Sequence, residues 1–221
     1  MKTKKPLIII LLGRSGCGKG TQAKLLQEKF NLKYVGSGDI LRKRCKINDF
    51  TGKKLRQVLK NGGFAPTAIM FKLWIDSWEE FKTNSKFLGF IVDGSPRKIL
   101  EAHLMEQALK WYDWHKFVKI FLINISRREG FNRLTKRRIC KKCSNPIPWL
   151  GEFKKLKVCN KCGGELTRRA DDVTKAINRR LDLFEKEVVP VLSHYKKQGK
   201  LIIINGEQSI KDVFADISRS L

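Results

Sequence analysis

The chain alternates between short unbroken apolar runs and longer stretches whose apolar residues recur every three or four positions. The runs at 7–12 (LIIILL), 32–35 (LKYV), 90–92 (FIV), 118–125 (VKIFLINI) and 201–204 (LIII) lack the polar alternation of a half-wet strand. They suit strands of a parallel sheet covered on both faces. Helical spacing fills the intervals, as in TQAKLLQEKF after the first run. Over residues 172–198 a stripe of Val173, Ile177, Leu181, Phe184, Val188, Leu192 and Tyr195 predicts one long helix, kinked at Pro190 and stopped by Gly199. Strands alternating with helices predict a doubly wound α/β fold.

Two segments break this rhythm. Residues 37–66 carry helix signals and no strand, and residues 131–170 hold four of the six cysteines, two prolines and several aromatics. Both read as insertions, dividing the chain into core 1–36, insertion 37–66, core 67–130, insertion 131–170 and core 171–221. A length of 221 residues suffices for one sizeable core with small inserted units. The basic start before an apolar run has a signal peptide's outline, yet six apolar residues followed by a glycine loop read better as a buried strand. No apolar run approaches the length of a membrane span. Forty-seven Lys and Arg against 21 Asp and Glu give a formal net charge of +26. That sign attracts nucleic acid, acidic membrane or nucleotide phosphates, or simply keeps the protein soluble, and charge alone does not choose among them.

The loop GRSGCGKGT, residues 13–21, joins the first strand to the first helix. Glycines there let backbone N–H groups curl around a phosphate, and the helix N-terminus adds positive potential. The pattern G-x-x-x-x-G-K predicts a nucleoside triphosphate site with Lys19 reaching the β- and γ-phosphates. The plainer reading is a glycine-rich turn with an incidental lysine, but the strand–loop–helix context favours phosphate. Gly20 stands where Ser or Thr usually follows the lysine, and Thr21 comes one later. Cys17 reads as a small packing residue. Cys140, Cys143, Cys159 and Cys162 form two C-x-x-C pairs with fifteen residues between them, the spacing of a zinc ribbon in a reducing compartment. Four free thiols and a nucleic-acid module are the competing readings.

Motifs in a fixed order now add to this. The GxGKGT loop is followed by SGDILR at 37–42, VDGSPR at 92–97, RLTKRR at 133–138, RRADD at 168–172, INRRL at 177–181 and LIIING at 201–206. Across nearly the whole chain the series resembles the adenylate kinases. The resemblance implies a P-loop NTPase-type five-stranded parallel sheet, a helical nucleoside-monophosphate-binding insertion at 37–66 and a lid at 131–170. Some bacterial members carry a four-cysteine zinc knuckle in that lid. A closed thiolate set implies structural zinc, with iron the other metal such ligands suit.

The activity implied is reversible Mg2+-dependent transfer of the γ-phosphoryl of ATP to AMP, giving two ADP, in a cytoplasmic monomer. By resemblance, Lys19, Arg97, Arg133, Arg169 and Arg180 are catalytic. Gly16, Cys17, Gly18, Lys19, Gly20, Thr21, Arg133, Arg137 and Gln208 bind ATP. Ser37, Arg42, Ala65, Gly94, Arg97, Glu101, Arg169 and Arg180 bind AMP. Asp93 orients Mg2+ through water. Asp171 and Asp172 are candidates for orienting the lid arginines, with a cap on the long helix the preferred reading of Asp172.

The sequence departs from the family at Ser15 for proline, at Ser95 for phenylalanine, and in FAPTA (64–68), which lacks an acidic pair. Glu101 departs more sharply, standing where a glutamine reads adenine. An ionised carboxylate only accepts hydrogen bonds. Glu101 is therefore protonated, reads a base other than adenine, or faces solvent and reads nothing. A kinase of GMP, CMP or UMP stays open on that ground. So does an RNA- or ribosome-binding protein on a nucleotide-binding core, since residues 126–170 carry 14 Lys and Arg against three acids.

Overall fold

The apolar runs become strands with little adjustment at their ends. In a computed structural model, which describes residues 5–84, 86–169 and 172–221, β1 is Leu7–Leu12, β2 Lys33–Gly36, β3 Gly89–Asp93 and β4 Val118–Asn124. The central sheet adds β8 (Leu201–Asn205) and has the order β2-β3-β1-β4-β8, every neighbouring pair parallel. Alternate residues of one strand point to opposite faces. Ile8, Ile10 and Leu12 join Phe90, Val92 and Ile120 in one apolar cluster, and Ile9 and Leu11 join Ile91, Phe121 and Ile123 in another. Burial on both sides explains why β1 is apolar at every position and why β3 and β4 are apolar through their middles.

Helices α1 (Lys19–Phe30) and α9 (Ile210–Arg219) cover the second cluster, through Ala23, Leu26, Val213 and Ile217. Helices α4 (Thr67–Lys82), α5 (Ile99–Trp111) and α8 (Val189–Lys197) cover the first. There Trp74 and Trp78 are fully buried, and Trp78 lies 5.1 Å, ring centre to ring centre, from Phe90. Because all five strands are parallel, their carboxyl ends share one edge, where α/β proteins bind ligands.

The expected insertion at 37–66 contains α2 (Ser37–Cys45) and α3 (Phe50–Lys60), started by the Asp49 side chain accepting from the Gly52 N–H. Helix α6 (Arg127–Lys136) runs across residue 131, and a second, antiparallel sheet follows it. Its strands β5 (Arg138–Cys140), β6 (Pro146–Ile147) and β7 (Leu166–Arg168) take the order β6-β5-β7. Arg138 ties this sheet to the turn at Gly151–Lys155, donating to the Phe153 and Leu156 carbonyls.

The long C-terminal helix differs from expectation. Helix α7 (Thr174–Leu183) passes into a π-helical turn, Phe184–Val188, and then into α8. Pro190 lacks an N–H and crowds the carbonyl four residues earlier, and a wider turn just ahead relieves both. The irregularity thus precedes Pro190, which sits in the first turn of α8.

Candidate active site

The loop after β1 turns back on itself before entering α1. Gly18, at the N-cap of α1, has φ 100°, a left-handed conformation that glycine adopts without strain. Lys19 folds over the loop, donating from Nζ to the Gly13 carbonyl at 2.7 Å and the Arg14 carbonyl at 3.0 Å. Cys17 is buried in the second apolar cluster, as a packing residue should be. A Cβ on Gly20 would stand 3.3 Å from Asp93 Oδ2, so glycine here lets α1 pass close to that carboxylate.

Asp93 ends β3 at the binding edge. The Tyr34 hydroxyl lies 3.0 Å from Asp93 Oδ2 and 3.2 Å from Asp39 Oδ2. Burial pushes the Asp93 carboxyl up, while Lys19 and the Tyr34 hydrogen bond pull it back. The Tyr34 phenol is pushed up by burial and by both carboxylates, and therefore stays a neutral donor.

One cleft joins these elements. Gly13, Ser15 and Lys19 line it from the loop, Gly94, Pro96 and Arg97 from the turn after β3, and Arg180, Phe184 and Val188 from α7 and the π-helical turn. Arg97 Nε donates to the Gly94 carbonyl at 2.6 Å, and its guanidinium lies 4.7 Å from the centre of the Phe64 ring. Burial lowers its pKa, the Glu101 and Asp93 carboxylates oppose that shift, and Arg180 and Arg42 reinforce it. Cations thus accumulate where a polyanion would neutralise them.

Other expected phosphate ligands are held at their own acidic partners. Arg137 makes a two-pronged contact with Asp172, at 2.8 and 2.9 Å, and Arg180 adds a third bond at 3.0 Å. The Asp172 side chain is 2% exposed. The expectation of a helix cap at Asp172 is therefore wrong: Val173 occupies the N-cap of α7, and the carboxylate is committed to two guanidinium groups. The Arg169 carbonyl accepts the Asp172 N–H. Asp171 lies outside the described residues.

Arg133, expected to reach out from the lid, is buried on α6, bonded to Glu129 at 2.6 Å and to the Gly206 carbonyl at 3.1 Å. Arg42 pairs with Asp39, and Gln208 with Asp216. Thr21 lies in the first turn of α1, its N–H bonded to the Gly18 carbonyl. Loop residue Gly16 has φ 90°. Ala65 is packed in the first apolar cluster.

Glu101 does not face solvent. It is 2% exposed on α5, and its Oε2 accepts the Arg97 backbone N–H at 2.7 Å. Burial pushes its carboxyl up, against the pull of that N–H and of the Arg97 and Lys98 charges. Ser95 likewise has a partner: its hydroxyl lies 2.5 Å from that of Ser37, both buried.

The four cysteines come together in the small sheet. Cys140 and Cys162 sulfurs are 3.5 Å apart, those of Cys143 and Cys159 3.6 Å apart, and all four lie within 4.8 Å of one another. A tetrahedral ion with sulfur ligands at about 2.3 Å needs sulfur–sulfur edges of about 3.8 Å. The thiols therefore fit a closed four-sulfur site. Backbone N–H groups of Cys143 and Lys161 point at Cys140 and Cys159 sulfurs, as suits thiolates.

Sequence reasoning missed Tyr34, Phe64 and Arg14. Arg14 donates to the Ile125 carbonyl and pairs with Glu185, with its guanidinium over Phe184. Its place in the glycine loop was a signal. Nothing local marks Tyr34 or Phe64, whose partners Asp93 and Arg97 lie tens of residues away.

A sequence model described as adenylate kinase matches residues 11–200. The chain is similar to an adenylate kinase of Bacillus mycoides, 36% identical over 95% of this chain and 95% of that protein. It is 35% identical to one of Methanocella arvoryzae, over 96% of this chain and 97% of the other. It is 33% identical to one of Caldanaerobacter subterraneus, over 96% and 95%. Among the described residues, no helix is long and apolar enough to cross a membrane.

Proposed function

The chain belongs to the adenylate kinase family, and from that premise we propose how its residues divide the transfer of the γ-phosphoryl of ATP to AMP, which gives two ADP. The observation that carries the division is the single cleft in which Lys19, Gly94, Arg97 and Arg180 meet.

The acceptor oxygen belongs to a phosphate and is already anionic, so no general base is required. The barrier is the repulsion between two polyanions brought in line, and positioned cations lower it. Loop N–H groups from Gly16 to Thr21 cradle the donor phosphates, and Lys19 exchanges its two loop carbonyls for phosphate oxygens. Arg42 and Arg97 grip the acceptor phosphate, and Phe64 keeps the Arg97 fork flat against its ring. Ser37, Ala65, Gly94 and Glu101 complete the acceptor site. Arg169 and Arg180 span the two substrates. Arg133 orders the Gly206–Gln208 turn against the donor base, and Arg137 reaches the donor phosphates from the lid.

Mg2+ bound with ATP supplies charge neutralisation at the phosphates. Asp93, half-buried beside Gly20 and held by Tyr34, is the carboxylate that fits its water shell. Zn2+ fits the four thiols and holds the lid's small sheet together. The insertions at 37–66 and 131–170 close over the substrates and exclude water, which would otherwise hydrolyse ATP. We assign the protein to the cytoplasm, on the strength of thiols kept for metal, and to the monomeric state that its resemblance to the family implies.

The test is product formation from Mg·ATP with AMP, GMP, CMP or UMP as separate acceptors at fixed salt. AMP is expected to be the preferred acceptor. Preference for another base would move the acceptor while keeping fold and mechanism. No transfer to any of the four would overturn the assignment.

A further inference from the structure

Two of the chain's three histidines, His103 and His194, stand beside Glu106 where no step of phosphoryl transfer needs them. His103 and Glu106 lie three residues apart on α5 and so share a face of that helix. His194 comes from α8, and α5 and α8 belong to one packed core through Met105, Leu109, Val191 and Tyr195. Nitrogen atoms of both imidazoles and an oxygen of the carboxylate lie within 4.8 Å of one another. Gln198, one turn beyond His194, joins them. Glu106 Oε1 is 2.9 Å from His194 Nε2 and 3.1 Å from Gln198 Nε2, and those two nitrogens are 2.9 Å apart.

With Glu106 ionised, no placement of protons satisfies every side of this triangle. With a hydrogen on Nε2, His194 donates to Glu106 but meets the Gln198 amino group donor to donor. Without it, His194 accepts from Gln198 but turns a lone pair toward the carboxylate. Turning the amide end for end sets two oxygens 3.1 Å apart instead. A cation removes the conflict, because Glu106, His194 Nε2 and, with its amide turned, the Gln198 oxygen can then all direct lone pairs at one centre.

The size is right as well. Tetrahedral ligands at about 2.0–2.1 Å from an ion have edges of about 3.3–3.4 Å, close to the sides of the triangle. The exposed His103 ring, its centre 4.8 Å from that of His194 and inclined at 78° to it, reaches the fourth corner by side-chain rotation. Imidazole ligands select transition ions over Mg2+ or Ca2+.

We propose that His103, Glu106, His194 and Gln198 form a second metal site, separate from the thiol cluster, that takes a divalent transition ion such as Zn2+, Ni2+ or Co2+. The ion would clamp α5, which starts two residues after Arg97, to α8, which follows the π-helical turn in the cleft wall.

The test uses untagged full-length protein whose thiols have been saturated with zinc, titrated with Ni2+ by calorimetry. The wild type is expected to bind one further equivalent and to gain thermal stability from it, because the ion binds the folded state. His103→Ala, at an exposed position that leaves the core intact, is expected to weaken that equivalent by at least the tenfold or so that losing even an outer-shell partner costs. His115→Ala, which removes the third histidine, is expected to leave it unchanged. Absence of a further equivalent in the wild type would overturn the site. Equal binding by His103→Ala, or equal loss in His115→Ala, would overturn it too.

Discussion

The molecule's two sheets are held by opposite means. In the parallel sheet, β1 alone contributes five fully buried apolar residues, Ile8 to Leu12, and helices pack on both sides. In the antiparallel sheet, the buried residues between 138 and 168 are Cys140, Ile147 and Cys159, two of the three being thiols. The first stores its stability in area removed from water and spread over many side chains. The second has almost no such area, and its four clustered thiols offer one coordination centre in its place. A lid built this way can move as a unit, since little apolar surface ties it to the rest.

The largest effect should come from breaking that centre. Structural zinc in small metallodomains contributes apparent folding free energies of about 10–16 kcal/mol. Chelation, or Cys159→Ser, is therefore expected to unfold the lid while sparing the core. Hydrogen exchange would show residues 138–168 losing protection while β1, β3 and β4 keep theirs. If the lid stayed protected after zinc removal, the contrast between the sheets would fail.

The reciprocal experiment breaks the core. Trp78→Ala removes a fully buried ring packed on Phe90, Tyr112 and Trp114 and is expected to cost about 3–5 kcal/mol. Urea unfolding should show the same cost with and without zinc, because distant sites add. A zinc-dependent cost would mean that the sheets share stability after all.

These two regions also differed in how well the sequence disclosed them. Apolar runs marked all five parallel strands, most plainly β1, whose residues Ile8 to Leu12 are all buried; the edge strands β2 and β8 carry polar or exposed positions at Lys33, Ile203 and Asn205. The glycine loop and cysteine spacing were local patterns as well: the loop runs from β1 into α1, and the four sulfurs come together. What stayed hidden depended on long-range partners. Asp172 looks like a helix cap in sequence, and only the fold brings Arg137, 35 residues earlier, to its carboxylate. Tyr34 meets Asp93 across 59 residues. The π-helical turn was hidden for another reason: its apolar stripe matches that of an unbroken helix.

Asp172 joins the two regions, since Arg137 leads into the lid and Arg180 belongs to the core helix α7. Asp172→Asn keeps the shape but removes the charge, and is expected to cost about 1–3 kcal/mol. Combined with Arg137→Ala, it should show a coupling of about 0.5–3 kcal/mol in a double-mutant cycle. Strict additivity would show that the contact does not link lid to core.

The smallest expected effect concerns one carboxyl on the core side. Glu101 is buried, and burial raises its pKa in the folded state above the unfolded value of about 4.3. A raised carboxyl binds its proton more readily when folded, so stability falls as pH rises through the folded pKa. Glu101→Gln removes that penalty. The amide oxygen can still accept the Arg97 N–H, and the amide adds a donor. The variant is therefore expected to match the wild type in acid and to exceed it, by at most about 1 kcal/mol, once the wild-type carboxyl ionises. Thermal midpoints measured from about pH 4 to about pH 8 would reveal the divergence. Parallel profiles would mean that the Arg97 N–H and the neighbouring charges fully offset burial, leaving Glu101 ionised on α5.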